Sequence, residues 1–194
     1  MAAQSNGNTV NYTKIARDVG VDEKTVKRYY QILEETLLGV LLESYHHSKR
    51  KRLIKAPKFY FFDCGVTHVL SRTLRQTIVP GTYAYGNTFE HFYILELIRI
   101  NEYQKCDFQF SYMLTESGNK IDIIIDRPGM PIALIEIKSS KQCHDEDAKH
   151  LKNIRKDFDS YECYVVSNDR ITRVNDEITY IYWEESFAKL GFDA

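Results

Sequence analysis

The sequence predicts an α/β protein, α+β in its overall arrangement, in which a small helical module precedes a mixed sheet flanked by helices. Three observations predict it. Residues 12–35 carry apolar side chains at helical spacing on either side of a glycine-containing break. Residues 119–125 and 133–138 are Ile-rich runs, apolar on both faces, joined by Asp126-Arg127-Pro128-Gly129. That is the pattern of buried strands around a tight turn, where Pro fixes φ and Gly accepts φ > 0. The formal net charge of −1 also hides an asymmetry: residues 1–80 carry 13 Lys and Arg against 7 Asp and Glu, and residues 81–194 carry 13 against 20. A basic part beside an acidic part predicts two modules, 1–80 and 81–194, the first a candidate for nucleic acid.

Length and composition set the bounds. At 194 residues the chain is long enough for a small module plus a medium domain, and 43% apolar with 27% charged residues is ordinary for a globular protein. No apolar run approaches the roughly 18 residues of a membrane span, and the N-terminus has no signal-peptide core. Cys64, Cys106, Cys143 and Cys163 are widely spaced and form no CxxC. They read as free thiols of a reducing cytoplasm, not as a disulfide frame or zinc site.

The elements follow in order. The first eight residues are small and polar and are expected to be disordered. Residues 12–19 form a helix with Tyr12, Ile15, Ala16 and Val19 on one face. Gly20 ends it, and Asp22 caps a second helix over 23–35 with Val26, Tyr29, Tyr30 and Leu33 inward. Lys24, Thr25, Lys27 and Arg28 lie near the start of that helix and largely outward. This is a helix-turn-helix pattern, whose second helix enters the major groove. Strands at 37–44 and 58–62 flank Lys49-Arg50-Lys51-Arg52, which makes the module a winged helix-turn-helix with a basic wing. The plainer alternatives are a helical hairpin used for packing and a solvated loop. DNA contact would be mostly to phosphates and strongly salt-dependent.

A short helix over 64–74 and a loop over 78–85 lead into the second module. Asn87 as N-cap with Glu90 at N3 resembles a capping box and starts a helix to about residue 101, apolar nearly all round and so mostly buried. Residues 107–114 alternate Phe108, Phe110 and Tyr112 as a strand and turn at 116–119 into the Ile-rich hairpin. A polar loop over 139–144 follows, then a helix over 145–158 and a buried strand over 161–167. A helix crossing between two strands makes them a parallel pair. Residues 178–183 form a last strand and 184–190 a closing helix. Gln142, His144 and His150 lie near the carboxylates Asp122 and Glu136 by sequence and read as surface residues or as supports behind the ligands of a site there, not as ligands themselves.

Three charges interrupt the apolar hairpin: Asp122, Glu136 and Lys138. Burying a charge is costly unless it is paired or holds a metal. Glu136 and Lys138 share a strand face, and the hairpin folds Asp122 back to the level of Glu136. Two carboxylates and an ammonium converge. The chemistry such a set supports is Mg²⁺ binding by two carboxylates, with a lysine where negative charge develops. The alternative is a buried structural ion pair.

Asp122, 13 intervening residues, then Glu136-Ile137-Lys138 on an apolar strand resembles the PD-(D/E)xK nuclease superfamily, with Ile121 where that pattern has Pro. The resemblance implies a restriction-endonuclease-like fold for 81–194. It also implies Mg²⁺, with Mn²⁺ as a substitute, on Asp122, Glu136 and the Ile137 carbonyl. Lys138 would stand by the attacking water, and Glu90 would be an outer ligand from the first helix. Glu90 as a plain capping carboxylate is the competing reading.

A wider resemblance covers about residues 9–185. It rests on Ile15-Ala16-Arg17-Asp18-Val19-Gly20-Val21, Lys51-Arg52-Leu53-Ile54-Lys55-Ala56-Pro57-Lys58-Phe59-Tyr60-Phe61-Phe62-Asp63-Cys64-Gly65, Gly86-Asn87-Thr88-Phe89-Glu90, Gly118-Asn119-Lys120-Ile121-Asp122 and Leu134-Ile135-Glu136-Ile137-Lys138-Ser139-Ser140. It is similar to the C-terminal half, domain of unknown function 4143, of a prokaryotic family of AAA-type ATPases. The resemblance implies DNA and an ATPase domain as partners. The chain itself has no G-x-x-x-x-G-K-[ST] and so looks like a fragment or the product of a shortened gene that does not hydrolyse ATP. Three readings stand: a Mg²⁺-dependent DNA nuclease, a catalytically idle DNA-binding or regulatory module, and a protein-docking module. The acidic charge of 81–194 weighs against a nuclease that grips DNA unaided, and the intact Asp/Glu/Lys set weighs for one.

Overall fold

The computed structural model describes residues 1–45 and 56–193, and the basic run Lys49 to Arg52 lies outside them. The protein is a mixed α/β structure of two compact units, one of residues 1–43 and 56–77, the other of 44–45 and 78–193.

In the first unit, α1 (Tyr12–Val19) and α2 (Glu23–Glu35) take the bounds the caps dictate. The Asn11 side chain accepts from the Lys14 amide, Gly20 turns left-handed at φ +77°, and Asp22 accepts from the Thr25 amide. β1 (Gly39–Leu42) and β2 (Lys58–Phe61) pair antiparallel, Gly39 opposite Phe61. A Cβ on Gly39 would stand 2.3 Å from the Phe59 ring, so only glycine fits there. Val10, Ala16, Val26, Tyr30, Phe59 and Phe61 form the core, with Tyr30 edge-on to both Tyr12 and Phe59. Tyr29, expected inward, is 62% exposed: the inward stripe passes through Val26 and Tyr30 instead. α3 (Cys64–Leu70) ends a turn earlier than expected, because the Ser71 hydroxyl donates to the Thr67 carbonyl and the Thr73 amide to that of His68.

The first eight residues are ordered, contrary to expectation. Ala2–Ser5 make a 3₁₀ turn, the Gly7 amide donates to Phe59 O, Asn6 Oδ1 accepts from the Phe61 amide, and Thr9 bridges Lys58. The open edge of β2 supplies partners that composition could not foretell.

The second unit is a six-stranded mixed sheet in the order β3-β4-β5-β6-β8-β7. β3 (Gln109–Leu114), β4 (Lys120–Asp126) and β5 (Ile132–Lys138) run antiparallel in succession. β6 (Tyr161–Ser167) lies parallel to β5, and β8 (Ile178–Tyr182) parallel to β6. The three-residue β7 (Arg173–Asn175), too short to leave a periodic signal, closes the far edge against β8. α4 (Tyr83–Gln104) and α6 (Trp183–Lys189) pack together through Tyr93 on Phe187 and Phe92 on Trp183, and the Tyr93 hydroxyl is 2.6 Å from Ser186 Oγ. α5 (Lys149–Ile154), lengthened at both ends by 3₁₀ turns, covers the core of Met113, Ile121, Ile124, Leu134, Cys163 and Val165 with Leu151, Ile154 and Phe158.

α4 begins one turn before Asn87. Thr82 is its N-cap, with a hydroxyl that accepts from the Tyr85 amide. Asn87 is therefore inside the helix, and Glu90 is no N3 capping carboxylate. Asn-x-x-Glu competes with a stronger stop-and-start at Pro80-Gly81-Thr82, where Gly81 has φ +83°. The Pro128-Gly129 turn forms as read: the Met130 amide donates to Arg127 O and Gly129 has φ +78°. Among the described residues no helix is long and apolar enough to cross a membrane, and the four cysteines are free thiols.

Arg127 in that turn is 1% exposed. Its Nε and Nη2 donate to Pro131 O, Nη1 donates to Leu190 O at 3.2 Å, and Nη2 lies 2.7 Å from Glu162 Oε2. One guanidinium thus ties the hairpin turn, the start of β6 and the chain after α6. Replacing Arg127 with Met should cost about 3 kcal/mol, since two carbonyls and a carboxylate lose their donor. Guanidinium denaturation measures it; a loss under about 1 kcal/mol would mean water takes over these bonds.

Candidate functional site

The site forms where β4 and β5 part. The two strands pair through Ile123–Ile135, Ile124–Leu134 and Ile125–Ala133. Past Ile135 the Ile137 amide turns to a side chain, donating to Asp122 Oδ2 at 2.9 Å. The cause lies on the other side of β4. Ser111 faces Ile124 and Met113 faces Ile121, so two steps along β3 match three along β4. The extra residue is a β-bulge at 122–123, a distortion that bends a strand and re-aims a side chain. Asp122 therefore fills the fork between the strands with its carboxylate, where a regular strand would have paired backbone.

Glu136 and Lys138 reach the same place by alternation along β5, which puts them on the face that Leu134 gives to the core under α5. Asp122 and Glu136 are both 0% exposed. Lys138 Nζ is 3.0 Å from Glu136 Oε1. A second ammonium enters from β4: Lys120 Nζ lies 2.8 Å from Asp122 Oδ1 and 3.9 Å from Glu136 Oε1. The sequence reading missed Lys120. The signal was present, because Lys120 and Asp122 are two apart on one strand, as are Glu136 and Lys138.

Electrostatics follow the geometry. Burial and then the Asp122 carboxylate push the Glu136 carboxyl up to about 8, against the pull of Lys120 and Lys138. Lys120 is held above its ordinary value: burial opposes its charge, and Asp122, Glu136 and Glu90 outweigh that. Glu90 is half-buried on α4 and within electrostatic reach of Lys120. Gly86, a turn earlier, would place a Cβ 3.6 Å from Ser139 Oγ, so the start of α4 adjoins the end of β5. His150, at the start of α5, is near the site without being part of the carboxylate pair. Its Nδ1 is 3.3 Å from Asn119 Oδ1, and burial together with Lys120 and Lys138 holds it below 6.5. His144 instead caps the 3₁₀ turn before α5 with Asp147, and Gln142 is exposed.

Glu136 Oε2 is buried and has no hydrogen-bond partner. A desolvated carboxylate oxygen beside a second carboxylate fits a hard cation, which would satisfy it. Among the described residues no group of three or more His, Cys, Asp or Glu is placed to hold a metal ion. A cation here would have Asp122 and Glu136, the backbone at Ile137, and otherwise water or phosphate oxygens, a donor set suited to Mg²⁺.

Of the residues predicted to contact DNA, Lys24, Thr25, Lys27 and Arg28 lie in the first unit, and Lys49 to Arg52 lie outside the described residues. Lys24 is exposed on the first turn of α2. Thr25 Oγ1 donates to Asp22 Oδ2 at 2.6 Å, so its side chain completes the cap. Lys27 pairs with Glu23 at 2.8 Å and lies over the Tyr12 ring, and Arg28 pairs with Glu35 at 2.9 Å. Exposed pairs of this kind hold their charges weakly.

The fold and this site define an α/β protein with a buried carboxylate pair at a strand fork. Residues 85–185 match the family described as Domain of unknown function (DUF4143), and residues 1–77 match one described as Domain of unknown function (DUF8612). The first match covers just over half of the sequence, and the chain belongs to the DUF4143 family. No curated protein matches the chain. Among solved structures, a half-complex of McrB AAA+ hexamers with bound McrC from Thermococcus gammatolerans aligns with 80% of this chain at 8% identity and a TM-score of 0.35. The chain spans 59% of the length of that neighbour.

The raised Glu136 carboxyl sets a pH dependence. Its value in the fold, about 8, lies above the ordinary 4.5, so its contribution to stability is complete below pH 4.5 and is lost as pH rises through 8. Denaturation in EDTA should show the wild type losing a few kcal/mol, in order of magnitude about 3–5, across that window. Glu136→Gln should flatten the profile. Parallel profiles for the two proteins would mean that Glu136 ionises in the fold without cost.

Proposed function

We propose that the chain is a DNA-directed phosphodiesterase module of the nuclease type, dependent on Mg²⁺ with Mn²⁺ as a substitute. The observation that carries this reading is the orphaned Glu136 oxygen beside Asp122 at the strand fork, with Lys138 adjoining. A bound divalent cation would lower the pKa of its water and neutralise phosphate charge. Asp122 and Glu136 would hold it, with the Ile137 carbonyl as the expected third donor. Lys138 would supply positive charge where the attacked phosphate gains negative charge. Glu90 is the outer carboxylate, acting through the field at Lys120.

DNA is engaged by the first unit, read as a winged helix-turn-helix. α2 offers Lys24, Lys27 and Arg28, and Thr25 fixes the start of the helix. Lys49 to Arg52 would add a basic wing. The resemblance to AAA-type ATPases makes an ATPase domain the natural partner, in a cytoplasmic setting that suits free thiols.

One observation favours a second reading, in which the module binds DNA or regulates a partner without cleaving. Lys120 already sits against both carboxyl groups, so a cation of the protein meets the pair without a metal.

The test is calorimetric Mg²⁺ and Mn²⁺ binding to wild type and Glu136→Ala, with plasmid nicking on the same samples. Wild type should bind and nick, and Glu136→Ala should do neither. Metal binding without nicking would support the idle reading, and no binding would refute the metal centre. DNA affinity should survive Glu136→Ala. It should fall in Lys27→Ala/Arg28→Ala, with a salt slope flatter by about one per lost phosphate contact. An unchanged slope would return α1 and α2 to a packing role.

A further inference from the structure

Lys120 carries an inference beyond the proposed activity, resting on the reading of Asp122 and Glu136 as metal ligands. The buried set contains two carboxylates, Asp122 and Glu136, and two ammoniums, Lys120 and Lys138. With both carboxylates ionised, the form in which they would hold a metal, the set is neutral. Adding a divalent cation while both lysines stay would leave two excess positive charges in a largely desolvated place, which is costly. One ammonium must leave, or an anion must arrive with the metal.

Geometry identifies the one that leaves. Lys138 meets Glu136 at 3.0 Å. Lys120 Nζ lies against both carboxylates, 2.8 Å from Asp122 Oδ1 and 3.9 Å from Glu136 Oε1, which is where a cation shared by the pair belongs. Its side chain is 41% exposed, against 29% for Lys138 and 0% for both acids. A flexible four-carbon stem with that access to solvent swings its ammonium into water without disturbing the strand.

We propose that the Lys120 ammonium is the resident cation of the carboxylate pair, that a divalent ion binds only as Lys120 withdraws, and that Lys120 therefore sets the metal affinity of the site. This makes it a specificity-determining residue with no place among the ligands. Metal affinity in the free protein is modest, and it rises when the ammonium is removed or drawn off by another anion such as a phosphodiester.

Mn²⁺ binding by calorimetry and by electron paramagnetic resonance tests this on the full chain. Lys120→Met should bind Mn²⁺ at least about tenfold more tightly than wild type, since a unit charge a few ångströms away is removed. Lys120→Arg, which keeps the charge, should stay at or below wild-type affinity, and Glu136→Gln should not bind. Lys120→Gln repeats the first arm should the methionine variant fold poorly. An independent readout needs no mutation: amine-labelling mass spectrometry should find Lys120 protected without metal and labelled faster with Mn²⁺. Equal or weaker binding by folded Lys120→Met or Lys120→Gln, or labelling indifferent to Mn²⁺, would overturn the competitor role while leaving the metal centre standing. No binding by wild type and the Lys120 variants alike would sink both proposals.

Discussion

The second unit is organised around one problem in electrostatics: four charged groups inside an Ile-rich hairpin. Asp122 and Glu136 have no access to water, so each must be met by donors or cations from the protein. Asp122 solves its part with a backbone group. Its Oδ2 takes the Ile137 amide, a donor left over because β4 and β5 no longer pair there, and its Oδ1 takes Lys120. Glu136 solves only half of its own, with Oε1 against lysines and Oε2 against nothing. The bulge in β4 accompanies the first of these outcomes, and the alternation of β5 the second. Without the extra residue, Asp122 would keep the alternation of the strand and the fork would close.

Much of this was legible in the sequence. Gly20 and Asp22 marked the break between the two helices of the first unit, because capping is a local interaction with the nearest backbone groups. Pro128-Gly129 fixed the hairpin for the same reason, and Glu136 and Lys138 followed from a period of two. What was not legible depended on partners distant in the chain. The order of residues 1–8 comes from the edge of β2, some fifty residues away. The bulge comes from β3, and a run such as Ile123-Ile124-Ile125, apolar on both faces, has no alternation whose break could reveal it. Lys120 was overlooked because its neighbour Asp122 was read against Glu136 across the hairpin and not along its own strand. Arg127 looked like a turn residue, and its burial is decided by Glu162 and Leu190.

The two units divide the electrostatic work. In the first, Lys27 and Arg28 lie on the surface in pairs with Glu23 and Glu35. Such contacts are worth little in water and are screened by salt, so a polyanion can replace the acids at small cost. At the site of the second, the two carboxylates are buried and the lysines reach them from partly exposed stems, so any exchange of partners must leave the carboxylates met. A surface that gives up its cations easily suits recognition, whereas a desolvated site with a fixed charge count suits selective chemistry.

That contrast also bears on why the buried quartet exists. As a device for stability it is poor, since removing two carboxylates from water costs several kcal/mol each and the lysines return it only where geometry is good. Here one oxygen of Glu136 is left unmet, and its carboxyl is driven towards the protonated form even with two ammoniums nearby. An apolar residue at 136 would continue the Ile-rich strand without any of this cost. A fold that only needed a core would be served better by isoleucine, and a site that binds a cation, or exchanges one for another, needs the oxygen that the protein leaves unpartnered.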